Sequence, residues 1–247
     1  PFAPGKMAPV TGVYSGLLYR MLDEAMSERL AKHQAVKGTD ARKRQEEAAE
    51  EMKLPVEMKI GLEGKVELIL RLIPPGEFMM GARMGIEEQM RRYDYEREWY
   101  LPSYPRHRVS ITQAFYVGAF EINQEQWQVM MGSNPSKFQG GPNSEEHPVE
   151  SILFAEIEQY ISRLQKCAPR GWQFALPTEA QWEYAARAGV ESSYRQGEAI
   201  GHGEANFCPD GGEADAQGTV RGGTFPANAW GCYDMIGNVW EYCADLY

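Results

Sequence analysis

The sequence predicts an α+β domain of short strands and helices, preceded by a helical extension. Its 247 residues include 25 glycines and 15 prolines, and this content of turn-forming residues favours many loops between short elements. The longest apolar stretches, such as the one within Val66–Ile73, are the size of a strand rather than of a long helix. A chain of this length can bury one large core or two modest ones.

Composition argues against nucleic-acid binding and against a membrane-spanning helix. The formal net charge of −10 at pH 7 argues against non-specific binding of nucleic acid, which needs a basic surface. No run of about 18 apolar residues occurs, so we expect no membrane-spanning helix. The sequence begins at Pro1 with neither an initiator Met nor a signal peptide, which fits either a trimmed sequence or an exported protein whose signal is gone. The second alternative predicts an extracytoplasmic (periplasmic or secreted) protein.

Residues 1–58 differ in pattern from the rest of the chain. Apolar residues between Val13 and Leu30 recur at spacings of three and four, which predicts an amphipathic helix. Asp40–Met52 is charged and rich in helix formers, which is typical of a solvated helix or a linker. An amphipathic helix must dock either on its own chain or on another protein chain. We therefore divide the chain into a helical extension or linker, 1–58, and a main domain, 59–247.

From Lys59 onward the pattern changes to strands and turns. The predicted strands are Val66–Ile73, a second one after the turn at Pro74–Gly76, and Arg108–Phe120. Met84–Pro105 is a predicted surface insertion, and Glu125–Met131 and Ala155–Leu164 are predicted helices. A capping box, Thr178–Gln181, begins a further helix that runs through Arg187 and stops at Gly189.

The four cysteines are too few and too scattered for a disulfide scaffold. No Cys-x-x-Cys pair occurs, which disfavours a structural zinc site. Cys208, Cys232 and Cys243 lie within the last 40 residues and allow one disulfide, for which Cys208–Cys232 is the favoured pair.

Several segments, taken in order, resemble the formylglycine-generating enzyme (sulfatase-modifying factor) superfamily. The most specific are Leu176–Gly189 and the run Tyr233–Glu241, Tyr-Asp-Met-x-Gly-Asn-Val-Trp-Glu. The others are Ile73–Gly81, which is similar to the opening hairpin of that family, Phe115–Met131, Asn134–Phe138, His147–Glu150, and Phe225 onward. The resemblance covers about residues 66–247, with residues 1–58 outside it. It implies an irregular α+β fold related to C-type lectins, with little regular secondary structure and many long loops.

The resemblance also implies calcium sites. Asp234, Glu241 and the carbonyls of Gly237 and Val239 correspond to one set of ligands, and calcium takes six to eight hard oxygens. The alternative is that the two carboxylates simply accept hydrogen bonds from amides of their own loop.

A second calcium set corresponds to Asn206, the carbonyl of Phe207 and an acid near Asp215. The spacing of this second set departs from the family pattern by about one residue.

For catalysis, the resemblance implies a copper(I) ion held by two cysteines in a later segment, and soft thiolates suit copper(I). None of the four cysteines corresponds to that pair. Arg221–Phe225 is similar to a late strand of the family, but it precedes the Asn-Val-Trp-Glu run and fits a connecting loop.

These features lead to two functional expectations. The first is a non-catalytic domain that acts as a binding or structural subunit of an extracytoplasmic assembly, with another protein chain as partner. The second is a copper-dependent oxidase that converts a sulfatase cysteine to formylglycine. It requires a further C-terminal segment that supplies the cysteine pair.

Overall fold

The computed structural model describes residues 11–12, 17–20, 40–93, 97–192, 200–201, 203–207 and 218–245. Its helices are α1 (Ala41–Met52), α2 (Ile86–Tyr93), α3 (Gln124–Met131), α4 (Phe154–Leu164) and α5 (Glu179–Arg187). Its strands are β1 (Thr11–Gly12), β2 (Leu17–Arg20), β3 (Glu57–Gly61), β4 (Glu67–Ile73), β5 (Gly76–Met80), β6 (His107–Ile111), β7 (Phe115–Gly118), β8 (Trp172–Ala175) and β9 (Trp240–Glu241). The predicted α+β class is confirmed.

The main sheet has five antiparallel strands in the order β3-β4-β7-β2-β8. Two small sheets accompany it: β5 pairs antiparallel with β6, and β1 pairs parallel with β9. Neighbouring side chains of a strand point to opposite faces, and β7 uses both. Tyr116 joins a core cluster with Trp127 of α3 and Tyr160 of α4, whereas Phe115 and Val117 join a second cluster that contains Tyr184, Trp230 and Met235.

Three predicted elements need correction: one helix, one hairpin and one strand. The helix expected over Val13–Leu30 is wrong for Leu17–Arg20, which form β2, and the rest of that segment lies outside the described residues. Backbone pairing with both β7 and β8 overrides the helical spacing of the apolar residues there.

Ile73–Gly81 is not a hairpin, because β4 and β5 belong to different sheets. The two prolines between them have no N–H to donate to a ladder. Likewise, Arg108–Phe120 is not one strand but contains most of β6 and all of β7, in two sheets.

Helix α1 forms as expected, but it is not a solvated helix. Its inner face consists of Ala41, Arg44, Gln45, Ala48, Ala49 and Met52. The Gln45 amide donates to the carbonyls of Leu72 (2.7 Å) and Trp230 (2.9 Å), and the Trp230 indole donates to the Ala41 carbonyl (2.9 Å). The helix therefore docks by means of small and polar side chains, a pattern that an apolar-stripe criterion does not detect.

The other predicted helices are confirmed, with boundaries shifted by at most one residue at either end. The capping box of α5 is present in both directions: Thr178 Oγ1 accepts from the Gln181 amide (3.2 Å), and the Gln181 side chain accepts from the Thr178 amide (2.9 Å). The surface insertion, Met84–Pro105, contains α2 and two short 3-10 helices. Within the described ranges, no helix is both long enough and apolar enough to cross a membrane.

We predict that Gln45→Met lowers the free energy of unfolding by about 1–3 kcal/mol, because it removes the donor to two carbonyls around a buried side chain and keeps a similar volume. Urea denaturation measures the change. Glu46→Gln, an exposed change on the same helix, is the matched control and should stay within about 0.5 kcal/mol. Equal stability of both variants would show that α1 docks without this hydrogen bond.

Candidate functional site

The segment Cys232–Glu241, termed the signature loop, is held between the end of β7 and the end of α5. The Tyr233 amide donates to the Ala119 carbonyl (2.8 Å), and the Tyr233 ring stacks on Phe120 with centroids 4.6 Å apart. On the other side, the Asn228 side chain donates to the carbonyls of Ala185 (2.8 Å) and Ala186 (3.2 Å) at the end of α5. Asn228 precedes the loop and accepts the Cys232 amide (3.1 Å), so these contacts fix the start of the loop.

Within the loop, Gly237 brings two backbone segments into contact. Its φ is +79°, and a Cβ at this position would lie 2.2 Å from the carbonyl oxygen of Asn206. That carbonyl accepts the Asn238 amide at 2.8 Å, and Asn206 pairs with Gly237 as an isolated parallel bridge. A glycine is required here because any larger residue would collide with backbone.

Asn238 is the centre of the hydrogen-bond network under this turn. Its side-chain nitrogen donates to Glu121 Oε2 (3.0 Å) and to the Val220 carbonyl (3.2 Å). Its side-chain oxygen accepts from the Val220 amide (2.9 Å) and from Asn206 Nδ2 (3.2 Å). One side chain thus joins the signature loop to three other parts of the chain.

Three buried or half-buried acids, Glu121, Asp234 and Glu241, lie around this network. Asp234 Oδ2 accepts from the Gly223 amide (2.6 Å), and Glu241 Oε2 accepts from the Trp182 indole of α5 (2.8 Å). Glu121 is buried, and its Oε1 has no hydrogen-bond partner among the described residues. None of the ion pairs within the described part of the chain includes any of the three acids.

The environment favours the neutral form of all three acids. Burial raises the pKa of Glu121 well above its usual range, and the nearby charges of Glu241 and Asp234 add to the increase. Burial also raises the pKa of Glu241 to about 8, against the hydrogen bond from Trp182, which lowers it. The pKa of Asp234 is raised by burial and partly restored by the Gly223 amide. A cation would remove this penalty, because it stabilises the charged forms.

The structure brings together most of the residues of the two predicted calcium sets. Asp234 and Glu241 influence each other electrostatically, and Asn206, assigned to the second set, contacts Gly237 of the first. Val239 is buried beside them, and its amide donates to the Gly237 carbonyl (2.9 Å). Phe207 is half-buried, whereas Asp215 lies outside the described residues.

Sequence reasoning missed Glu121 and Asn238 as members of this site. Glu121 had a signal, since it is the only charged residue in the run Phe115–Asn123. Asn238 had one too, as part of the Gly-Asn pair in the signature loop. Neither signal identifies the partner, because Glu121 and Asn238 are 117 residues apart in the chain.

The donor set suits calcium more than a transition metal. No group of three or more His, Cys, Asp or Glu among the described residues is arranged as a metal site, so a site here has to use carbonyl or amide oxygens as well. Calcium accepts such mixed oxygen sets. The hydrogen bonds above use one oxygen of Asp234 and one of Glu241, which leaves the second oxygen of each carboxylate for a cation.

A cavity of about 340 Å³ gives access to the signature loop. It lies between α5, the start of the surface insertion and the segment 225–236, and its wall includes Asp234, Met235 and Glu204. An ion can therefore approach Asp234 from this side.

The described cysteines do not form a thiolate centre. Burial and the nearby carboxylates of Glu241, Glu179 and Asp245 raise the pKa of Cys243 to about 12. Cys167 packs against the apolar core, and Cys232 is buried in the second cluster. The favoured partner of Cys232, Cys208, lies outside the described residues.

An apolar surface includes the end of the signature loop. Leu153 and Phe154, at the start of α4, are 69% and 40% exposed, and Trp240 of β9 is 62% exposed. The rings of Phe154 and Tyr242 lie 5.9 Å apart, and Tyr242 follows Trp240 by two residues. We call these four residues the apolar surface.

Comparison with protein families decides the family. The model described as "Sulfatase-modifying factor enzyme 1-like domain" matches residues 67–247. The chain belongs to this family. The resemblance inferred from the motifs is thus confirmed.

Among curated relatives, the formylglycine-generating enzyme of Mycobacterium tuberculosis is 37% identical over 106 residues, which are 39% of this chain and 32% of that protein. The serine/threonine-protein kinase pkn1 of Chlamydia caviae is 36% identical over 107 residues, or 43% of this chain and 15% of the kinase. The matched segment thus spans less than a third of either relative.

The solved structure of Treponema denticola variable protein 1 superposes with a TM-score of 0.59 at 24% identity, over 76% of each chain. At this identity the likeness shows the fold alone, and it confirms the predicted C-type-lectin-like architecture.

We predict that, in a chelating buffer, the free energy of unfolding falls as the pH rises from about 4.5 to about 8. The folded pKa of Glu241 is raised to about 8, so the folded state binds more protons than the unfolded state in this window, and stability decreases with pH. Denaturant titrations at successive pH values measure it. Glu241→Gln should reduce the slope, with Glu121 and Asp234 accounting for what remains, whereas Glu158→Gln, an exposed control on α4, should leave it unchanged. An unchanged slope in Glu241→Gln would contradict the assignment.

Proposed function

We propose that this domain is a non-catalytic member of its family that binds another protein chain through the apolar surface, outside the cytoplasm. Three of its four side chains, Leu153, Phe154 and Trp240, are large, apolar and exposed, and contiguous exposed apolar area is typical of interaction sites because isolated soluble domains rarely expose it. Trp240, the most exposed aromatic among the described large apolar side chains, carries the proposal. Tryptophan is also among the side chains that contribute most to binding energy at protein interfaces.

The state of the described cysteines supports a binding role over thiol chemistry. The thiolate is the form that binds copper(I) and reacts with oxidants. With a pKa of about 12, Cys243 is almost entirely protonated at neutral pH. Its local field comes from three carboxylates, which oppose thiolate formation rather than assist it.

The relatives named formylglycine-generating enzyme keep a copper-dependent cysteine oxidase as the second candidate. The Mycobacterium tuberculosis relative matches only 39% of this chain, so its activity is only a hypothesis for this protein. In the oxidase, cysteines from elsewhere in the protein would hold the metal.

We also propose that calcium binds at the signature loop and supports the apolar surface. Glu241 is adjacent to Trp240 in β9, so an ion held by Asp234, Glu241 and loop carbonyls would fix the strand that presents the tryptophan. Asn206, Phe207 and Asp215 remain the proposed ligands of a second ion. Calcium would neutralise acids that otherwise gain protons on folding.

We predict that calcium raises the melting temperature and that a chelator lowers it. Binding to the folded form alone adds about 2.7 kcal/mol when calcium is 100-fold above its Kd. Asp234→Ala should abolish the difference between calcium and chelator, whereas Glu158→Gln should preserve it. A wild-type melt that is identical in both buffers would show that the loop is held by its own hydrogen bonds.

The function itself is tested by two measurements on one preparation. In the first, the chain is loaded with copper and incubated in air with a peptide that contains the sulfatase motif Cys-x-Pro-x-Arg. We expect no formylglycine by mass spectrometry. Conversion of the cysteine would replace the proposal by the oxidase.

In the second measurement, proteins from the extracytoplasmic fraction of the source cells are captured on wild type, Trp240→Asp and Leu101→Asp. Leu101 is exposed to 48% in the surface insertion and serves as the matched control. We expect a partner that is retained by wild type and Leu101→Asp but lost on Trp240→Asp. Identical retention by both variants would exclude the apolar surface as the binding site.

A further inference from the structure

Acids border the apolar surface on its α4 side. Glu156 accepts the Leu153 amide at 2.7 Å, so its carboxylate lies beside the most exposed residue of the surface. Glu158 is exposed and follows Phe154 by four residues, which places both on the same face of the helix. Arg163, the basic residue of α4, follows Phe154 by about two and a half turns and therefore lies on the opposite face.

Acids also border the surface on its β9 side. Asp245 is exposed, and its Oδ2 accepts the Glu179 amide at 2.5 Å. Cys243 directly follows Tyr242 of the apolar surface. Burial raises the pKa of its thiol, and the carboxylates of Glu241, Glu179 and Asp245 raise it further. The field along this edge of the surface is therefore negative.

The charge of these bordering acids is not compensated by neighbouring cations. The ion pairs within the described part of the chain include none of Glu156, Glu158, Glu179 and Asp245. A border of one sign attracts the opposite charge during association and penalises a partner of the same charge. The net charge of the whole chain, −10, acts in the same direction.

We propose that the occupant of the apolar surface is a protein segment whose apolar anchors are flanked by lysine or arginine. This inference rests on the proposed function, because it specifies the chemistry of the partner that the surface binds. The anchors pack on Trp240 and the side chains beside it, and the flanking cations lie over the acids at both borders. Lysine and arginine suit these positions, because their apolar stems cover apolar area while their charged ends reach the acids. An anionic lipid surface is disfavoured, since its headgroups would face the same acids.

The experiment uses the full chain and three fluorescent synthetic peptides, whose binding is measured by fluorescence anisotropy. The lysine peptide contains Leu-Trp-Leu between two pairs of lysines. The glutamate peptide has glutamates in place of the lysines, and the serine peptide keeps the lysines but has serines in place of Leu-Trp-Leu. We expect saturable binding of the lysine peptide, about tenfold tighter than that of either other peptide, because both the anchors and the charges contribute.

Charge variants locate the contact. Glu158→Lys should weaken binding of the lysine peptide by about fivefold, because an attraction becomes a repulsion at an exposed site. Glu63→Lys, the same charge change in the exposed turn between β3 and β4, is the matched control and should leave binding unchanged. Raising the ionic strength to about 1 M, where the screening length is about 3 Å, should weaken binding to the wild type as well. Equal binding by both variants would contradict the proposed placement of the cations.

An uncharged variant, Trp240→Ser, separates this inference from the function on which it rests. If the glutamate peptide binds as tightly as the lysine peptide and Trp240→Ser abolishes both, the surface binds partners but the inferred charge of the partner is wrong. If binding of the lysine peptide survives Trp240→Ser, the apolar surface is not the site and the proposed function fails with the inference.

Two further results would overturn the inference alone. One is no saturable binding of the lysine peptide to the wild type, and capture on Trp240→Asp then tests the proposed function separately. The other is tighter binding to phosphatidylcholine vesicles than to the lysine peptide, which would identify a lipid surface as the occupant.

Discussion

The side chain of Asn238 is the contact on which the rest of the site depends. It uses both its donor and its acceptor atoms, and its partners come from the segment after β7, from the backbone at Val220 and from Asn206. Buried polar networks of this kind specify one arrangement only when every member is satisfied. The position of Asn238 depends in turn on Gly237, because only a glycine lets this turn approach the Asn206 backbone so closely.

This network places negative charge in a position that water does not stabilise. Glu121, Asp234 and Glu241 influence one another, and each has a raised pKa because of burial. A folded protein resolves such a conflict by protonation, by a bound cation or by further donors. The stability of the signature loop should therefore depend on pH and on cation concentration. Because Glu241 is adjacent to Trp240 in β9, the same dependence should extend to the strand that carries the exposed Trp240.

The N-terminal residues are integrated into the fold at three places. Helix α1 donates to carbonyls at the end of β4 and at Trp230, β2 lies within the main sheet, and β1 pairs with β9. The sequence pattern changes at residue 58. However, α1 and β2, which precede this boundary, contact residues that follow it. The domain core and its extension therefore stabilise each other.

The sequence alone predicted the family, the α+β class, the strand Val66–Ile73 and the three helices from residue 124 onward, because their signals are local. Capping boxes, terminal glycines and apolar spacing act within a few residues and appear directly in the sequence. The signature loop was likewise recognisable from its motif, with Asp234 and Glu241 as candidate ligands.

Three features became visible only in the folded chain. Leu17–Arg20 form a strand, α1 buries alanine, arginine and glutamine side chains of its own, and Glu121 and Asn238 belong to the site. Each depends on partners far away in the chain: β7 and β8 for β2, Leu72 and Trp230 for Gln45, and the signature loop for Glu121. Hydrogen bonds and burial depend on which segments contact each other in the folded chain. The order of the residues alone does not identify those contacts.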